Sequence, residues 1–172
     1  MLEPKFPLGR VKYKPSIWRD VSMLDLTNPK HAHVDERLRT NLILWLGSVR
    51  PDSRPHLVYV FYLWDGKHIL IFSQPNSQKI RNVRHNPNVT LALDGTRDGE
   101  DMVILEGKAE LLHDPAVNTT LPAYATKYGF LLKRVSLTAE AMAAIYSQPF
   151  LITPTRILHR QGTRGQRVEV IT

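Results

Sequence analysis

The segment Phe72-Ser73-Gln74-Pro75-Asn76-Ser77-Gln78-Lys79-Ile80-Arg81-Asn82 holds the chain's best prospect for chemistry. An apolar strand ends, a polar turn follows, and a helix starts with Asn76 or Ser77 as its cap. A helix start leaves backbone N–H groups unbonded and carries the positive end of the helix dipole. Ser73 and Ser77 add hydroxyl donors, and Lys79 adds a mobile cation. Lys79 and Asn82, three residues apart, share a helix face distinct from that of Arg81 and Arg84. Such a set can cradle a phosphate; without one it is a capped, solvated basic helix.

Other groups promise less. His31-Ala-His33 offers two metal ligands, a poor set by itself, and reads as exposed loop histidines. Asp94, Asp98, Glu100 and Asp101 do not have the spacing of a calcium loop and read as a solvated turn. The chain has no Gly-rich phosphate loop, no G-x-S-x-G, no H-E-x-x-H and no kinase motif set. It has no cysteine, which excludes thiolate chemistry and disulfides and leads us to expect a reducing cytoplasm. No metal is expected, and no catalytic side chain can be named. If the protein is an enzyme, a bound cofactor supplies the difficult chemistry. Tyr59 and Tyr62 could donate a proton, though packing against a core or a ring is their plainer role.

The elements that must position these residues are mostly strands. Residues 1–33 are rich in proline and charge and read as an extended arm with at most short helical turns. Val34, Leu38 and Leu42 recur at helical spacing. Leu44 to Val49, His56 to Trp64 and Ile69 to Ser73 read as a three-stranded meander with tight turns at Pro51–Arg54 and Asp65-Gly66. In the middle strand both faces are apolar: Leu57, Tyr59, Phe61 and Leu63 on one, Val58, Val60, Tyr62 and Trp64 on the other. A strand with a wet face alternates with polar residues. Its second face therefore meets a helix, a partner or a flat ligand.

A helix to about His85 follows, then strands over Val89–Leu93 and Met102–Leu112. In the latter Val103, Leu105, Gly107, Ala109 and Leu111 point inward. A helical stretch from Asp114-Pro115 to about Leu132, interrupted by Pro122, and a short helix over Thr138–Tyr146 come next. Phe150–His159 and Arg167–Ile171 close the chain. Six or seven strands with short links and few helices predict a mainly β (α+β) fold, a small antiparallel barrel with peripheral helices. No linker divides residues 1–172.

With 172 residues, 42% apolar and 23% charged, the composition is that of one globular domain. No apolar run suits a bilayer span, and the first residues, without an apolar stretch, lead us to expect no secretory signal. The net charge of +7 could serve nucleic acid or small anions. The basic residues are scattered and the aromatics lie on apolar strands, so neither nucleic acid nor membrane is expected as a partner.

Several pieces resemble, in order, the pyridoxamine-phosphate-oxidase-like superfamily. They are Leu46-Gly47-Ser48-Val49-Arg50 with Arg54-Pro55-His56, Val60 to Gly66, Phe72 to Pro75 with Lys79 to Arg84, Asn86 to Val89, and Leu105 to Glu110; Phe150 to Arg156 resembles its closing strand. The resemblance implies a split antiparallel β-barrel of the FMN-binding type. It also implies a homodimer with two cofactor sites at its interface. By the same resemblance, Ser77, Lys79 and Asn82, with Ser73 and Gln74 in the turn, lie near a cofactor phosphate. Tyr59, Val60, Phe61 and Tyr62 line the ring. The turn is most similar to the branch using the deazaflavin coenzyme F420, which implies hydride transfer to or from a small organic molecule. Gln78 stands where the pyridoxamine phosphate oxidases carry a cation, and Gly162-Thr163-Arg164-Gly165 is not their C-terminal segment. Ser53 replaces the family's glycine in the first turn. The alternatives are FMN on the same fold, a non-catalytic flavin or deazaflavin carrier, and a basic nucleic-acid-binding barrel.

Overall fold

A computed structural model describes residues 22–93, 95, 100–162 and 167–172. The chain runs α1 (Pro29–Thr40), β1 (Ile43–Val49), β2 (Pro55–Phe61), β3 (Leu63–Trp64), β4 (Ile69–Ser73), α2 (Gln78–His85), β5 (Asn88–Leu93), β6 (Asp101–Leu111), α3 (Pro122–Arg134), α4 (Ala139–Ile145), β7 (Gln148–Gln161) and β8 (Glu169–Ile171). All the strand pairings among these residues are antiparallel, in the order β2-β1-β5-β6-β7-β4-β3, with β8 on β7. The two ends of that order, β2 and β3, are separated in the chain by Tyr62 alone, so the sheet must curl back on itself. The result is the expected split β-barrel with peripheral helices. No helix among the described residues is long and apolar enough to cross a membrane.

Tyr62 is the joint. The continuous strand expected over His56–Trp64 breaks here, and the expected meander opens with it: β2 pairs with β1, whereas β4 pairs with β3 and β7. The Tyr62 N–H donates to the Tyr128 hydroxyl (2.9 Å), and that hydroxyl lies 2.6 Å from the Tyr62 carbonyl and 2.8 Å from that of Leu42. Its single proton serves one of the two carbonyls at a time. The Tyr62 hydroxyl donates to Leu38 O (2.8 Å). A buried side chain thus satisfies backbone groups that a ladder would otherwise pair.

Two helix boundaries also differ from expectation, both because of proline. α1 starts within the expected arm, where Asn28 accepts from the Lys30 N–H and Pro29 fills the first turn. Pro fits there because its missing N–H would be unbonded anyway. Pro122 likewise opens α3 instead of interrupting a helix, and residues 114–121 form turns. Residues 1–21 of the arm, and most of the acidic stretch expected as a solvated turn, lie outside the described residues. His31 and His33 belong to α1 and are half-buried, not loop histidines.

The core has two parts. Leu44, Leu46, Tyr62, Ile69, Ile71, Leu91, Leu105, Phe150 and Ile152 fill the barrel, closed by Val34 and Leu38 of α1 and Ile80 and Val83 of α2. Leu63, Leu70, Phe72 and Leu151 face the other way, under Tyr124 and Tyr128 of α3 and Met142 of α4. Inward Val103, Leu105, Gly107 and Ala109 of β6 are buried as expected. Gly107 sits at a register shift between β6 and β7, where a Cβ would meet Thr153 O at 2.8 Å. Close backbone approach requires glycine there.

Candidate functional site

The cleft begins with what β2 leaves uncovered. Val60 points into the barrel core, and Val58 packs partly against it. Leu57, Tyr59 and Phe61 point out and remain 66%, 58% and 38% exposed, beside Trp45 of β1 at 37%. Register places Trp45 opposite Tyr59, and their rings meet edge to face at 6.0 Å. Where this face meets α3 and α4 there is a cavity of about 300 Å³. Its walls are Val58, Tyr59, Val60 and Phe61 of β2, Phe72 of β4, Tyr124, Met142 and Tyr146, with Lys79 of α2 at the edge. The floor is a run of touching rings: Phe61 packs on Tyr128 at 5.1 Å, and Tyr124 packs on Tyr128 at 4.7 Å and on Phe72 at 5.5 Å. Aromatic walls with one cation at the rim suit a flat ring carrying an anionic tail.

The polar end is built by the β4–α2 turn. Ser73 is fully buried; its hydroxyl donates to Gln74 O (3.2 Å) and shares a 2.9 Å hydrogen bond with the Ser77 hydroxyl. Ser77 is the N-cap of α2, yet its side chain caps no N–H, so first-turn donors remain unspent. Gln74 is exposed. Asn82 is buried: it accepts from Gln78 Nε2 (2.7 Å) and donates to the Ser48 hydroxyl (2.9 Å), tying α2 to β1. Arg81 folds back onto Asn76 O and Gln78 Oε1. Tyr62 is buried in the core and does not line the cavity. Of the nine residues singled out in the sequence, the cavity gathers Tyr59, Val60, Phe61 and Lys79, while Ser73, Gln74 and Ser77 form the turn before α2 and Asn82, within α2, ties that helix to β1.

Two basic neighbours, Arg50 and His56, were not singled out. Burial, then the charges of Arg50 and Lys79, holds the His56 imidazole below its ordinary pKa. Burial also lowers Lys79. Arg50 Nε and His56 Nδ1 are buried without a hydrogen-bond partner. Asp52, in the same turn, is bound by Arg54 (2.6 Å). Lys79 and Arg50 therefore bring positive charge into one neighbourhood with the His56 imidazole, whose protonation they oppose, and Asp52 is the carboxylate that faces Arg50 there. An anion there would face two cations and could accept from the unpaired Arg50 Nε–H. Arg50 and His56 reach Lys79 through the Asn82–Ser48 link, a tertiary contact without a local sequence signal.

A third cluster lies on α1, β6 and β7. His33 Nε2 is 2.9 Å from Asp101 Oδ2, and the buried His159 stands beside them. The Asp101 carboxylate also binds the Arg37 guanidinium, which already supplies its counter-charge.

The family model described as pyridoxamine 5'-phosphate oxidase matches residues 31–160. No curated protein matches the sequence. Among solved structures, an F420 reductase is similar at 23% identity and TM-score 0.54, covering 72% of this chain and 94% of its own. A putative pyridoxamine 5'-phosphate oxidase from Listeria innocua is similar at 21% identity and TM-score 0.57, covering 74% and 95%. The heme storage protein of Vibrio cholerae is similar at 13% identity and TM-score 0.54, covering 76% and 94%. At these identities the likeness is one of fold.

Proposed function

The chain belongs to the pyridoxamine 5'-phosphate oxidase family, and on that premise we propose that its β2 cleft holds the deazaflavin coenzyme F420 and transfers hydride to or from a small organic molecule. The observation that carries this is an aromatic cavity with the cation Lys79 on its lining and the partly buried Arg50, whose Nε is unpaired, close by. The residues present fit an anionic flat cofactor. Tyr59, Phe61 and Tyr124 offer ring faces and edges, and Lys79 and Arg50 offer charge-assisted donors. Gln78 is neutral and bonded within α2, so the turn does not present the adjacent cations of the pyridoxamine phosphate oxidases. When bound, the deazaflavin supplies a two-electron hydride centre.

The chain's own residues then bind and orient. The α2 start and Lys79 fix the anionic end, the aromatic floor sets the ring plane, and apolar walls keep water from the reacting face. The bare outer face of β2 supports a homodimer that covers the cleft, since closed two-fold pairing is the commonest cover for such a surface.

The test is titration of the full chain with F420 and with FMN, followed by assay of reduced F420 with candidate acceptors. Tighter binding of F420 with turnover is expected. Submicromolar FMN affinity without F420 binding overturns the cofactor choice, and binding without turnover makes the protein a carrier. Preference for hemin over both overturns the flavin-type site.

A further inference from the structure

The His31-Ala-His33 pair is a poor metal set by itself, but the fold brings further donors to it. His33 on α1, Asp101 at the start of β6 and His159 on β7 each offer one ligand atom, and these atoms lie within 4.8 Å of one another. Donors held at ~2.0–2.2 Å from one zinc-like ion stand within about 4 Å of one another, so small side-chain rotations close the set. None of the three is on the lining of the cleft.

The sheet fixes two of these donors. Asp101 pairs with Gln161 and Val103 with His159. Side chains two residues apart share a face, so Asp101 and His159 lie diagonally across the ladder on the same side. His159 also pairs with Glu169 of β8, which puts a second carboxylate next to it on that face. Glu169 bonds Lys30 Nζ (2.9 Å), whose side chain is largely exposed and can leave at little cost. α1 lays His33 over the same face: His33 Nε2 is 2.9 Å from Asp101 Oδ2, and the two imidazole centres are 5.7 Å apart.

His159 is the group that calls for a ligand. It is 2% exposed, and its Nε2 has no hydrogen-bond partner among the described residues. Arg37 binds the Asp101 carboxylate, but a carboxylate has two oxygens. Ligating carboxylates are commonly held by such an outer donor. Entry is from the His33 side, where the His33 and Asp101 side chains keep 24% and 14% of their surface.

We propose that His33, Asp101 and His159 bind a first-row divalent ion of the zinc type, with Glu169 as fourth donor, and that the ion clips α1 to β6, β7 and β8. Imidazoles mixed with carboxylates suit such ions, whereas magnesium and calcium take oxygen shells.

The experiment titrates the untagged, chelator-treated full chain with ZnCl2, and separately with MgCl2, by calorimetry. One zinc per chain is expected, with a dissociation constant of about 1 μM or tighter, and no magnesium. His159→Gln should weaken zinc binding by about 100-fold or more. In the unaltered protein, NMR of the imidazoles should show one equivalent of zinc shifting the His33 and His159 rings and leaving exposed His85 and His113 unchanged. Zinc binding weaker than about 100 μM, a His159 ring that zinc does not shift, or an equal constant in folded His159→Gln overturns the proposal. The NMR result does not depend on whether the variant folds.

Discussion

β4 and β2 carry apolar side chains on both faces, but the molecule treats them differently. β4 is buried along its whole length: Ile69 and Ile71 face the barrel, and Leu70 and Phe72 face α3 and α4. β2 has the barrel on one face; on the other only its Phe61 end reaches a helix, packing on Tyr128 of α3, and Leu57, Tyr59 and Phe61 stay exposed. Two-sided hydrophobicity in β4 is thus explained by this chain's own packing. In β2 it is not, and on the proposal made above the open apolar face is where a ligand or a second copy would sit. The cleft lies where the covered region meets the open one, with Phe72 and Tyr124 from the first and Tyr59 and Phe61 from the second.

The largest effect expected from this contrast is on stability. Leu70→Ala should cost about 2–5 kcal/mol in urea unfolding, whereas Leu57→Ala in dilute monomer should change stability by no more than about 0.5 kcal/mol. Equal costs in the monomer would erase the contrast. Leu57→Arg should instead weaken self-association by about 2 kcal/mol or more. Light scattering would show a dimer turning to monomer with an unchanged fold; a chain already monomeric at low micromolar concentration would leave the β2 face to the ligand alone.

A third test lies on the covered side. Lys127 has a folded pKa of about 7 against an ordinary 10.5. Between those values the unfolded chain binds a proton that the folded chain does not, so stability should rise with pH across that window. Below about 7 both states are protonated and the burial cost is fully present. Melting curves from pH 7 to 10 should show this slope in the wild type and lose it in Lys127→Met. Parallel profiles would show that the amine is not desolvated. The smallest effect belongs to the β1–β2 turn, where Ser53 has φ +65°. Glycine fits this left-handed conformation, and Ser53→Gly should stabilise by at most about 1 kcal/mol.

The parts legible in the sequence are those set by neighbours along the chain. Alternation gave the inward face of β6, and the strand–turn–helix run from Phe72 to Asn82 placed Lys79 correctly at the start of α2. The break at Tyr62 had no local signal, because Val58 to Trp64 is apolar throughout. It is fixed by Tyr128, 66 residues away. Pro122 was visible but ambiguous, since proline both stops helices and starts them. Arg50, His56 and Tyr146 come to the site only through packing of α2 against β1 and of α4 beside β2, which periodicity does not report.

The central claim is that the open face of β2 with the α2 start is a cofactor site, and Trp45, beside Tyr59, is its natural reporter. Fluorescence titration of wild type and Lys79→Ala with F420 tests it most directly. Saturable quenching in the wild type should weaken by about 10- to 100-fold in the variant, the loss of one charge-assisted contact worth about 1.5–3 kcal/mol, with an unchanged melting temperature for the free protein. The same dissociation constant in both proteins would contradict the claim and leave α2 a solvated basic helix.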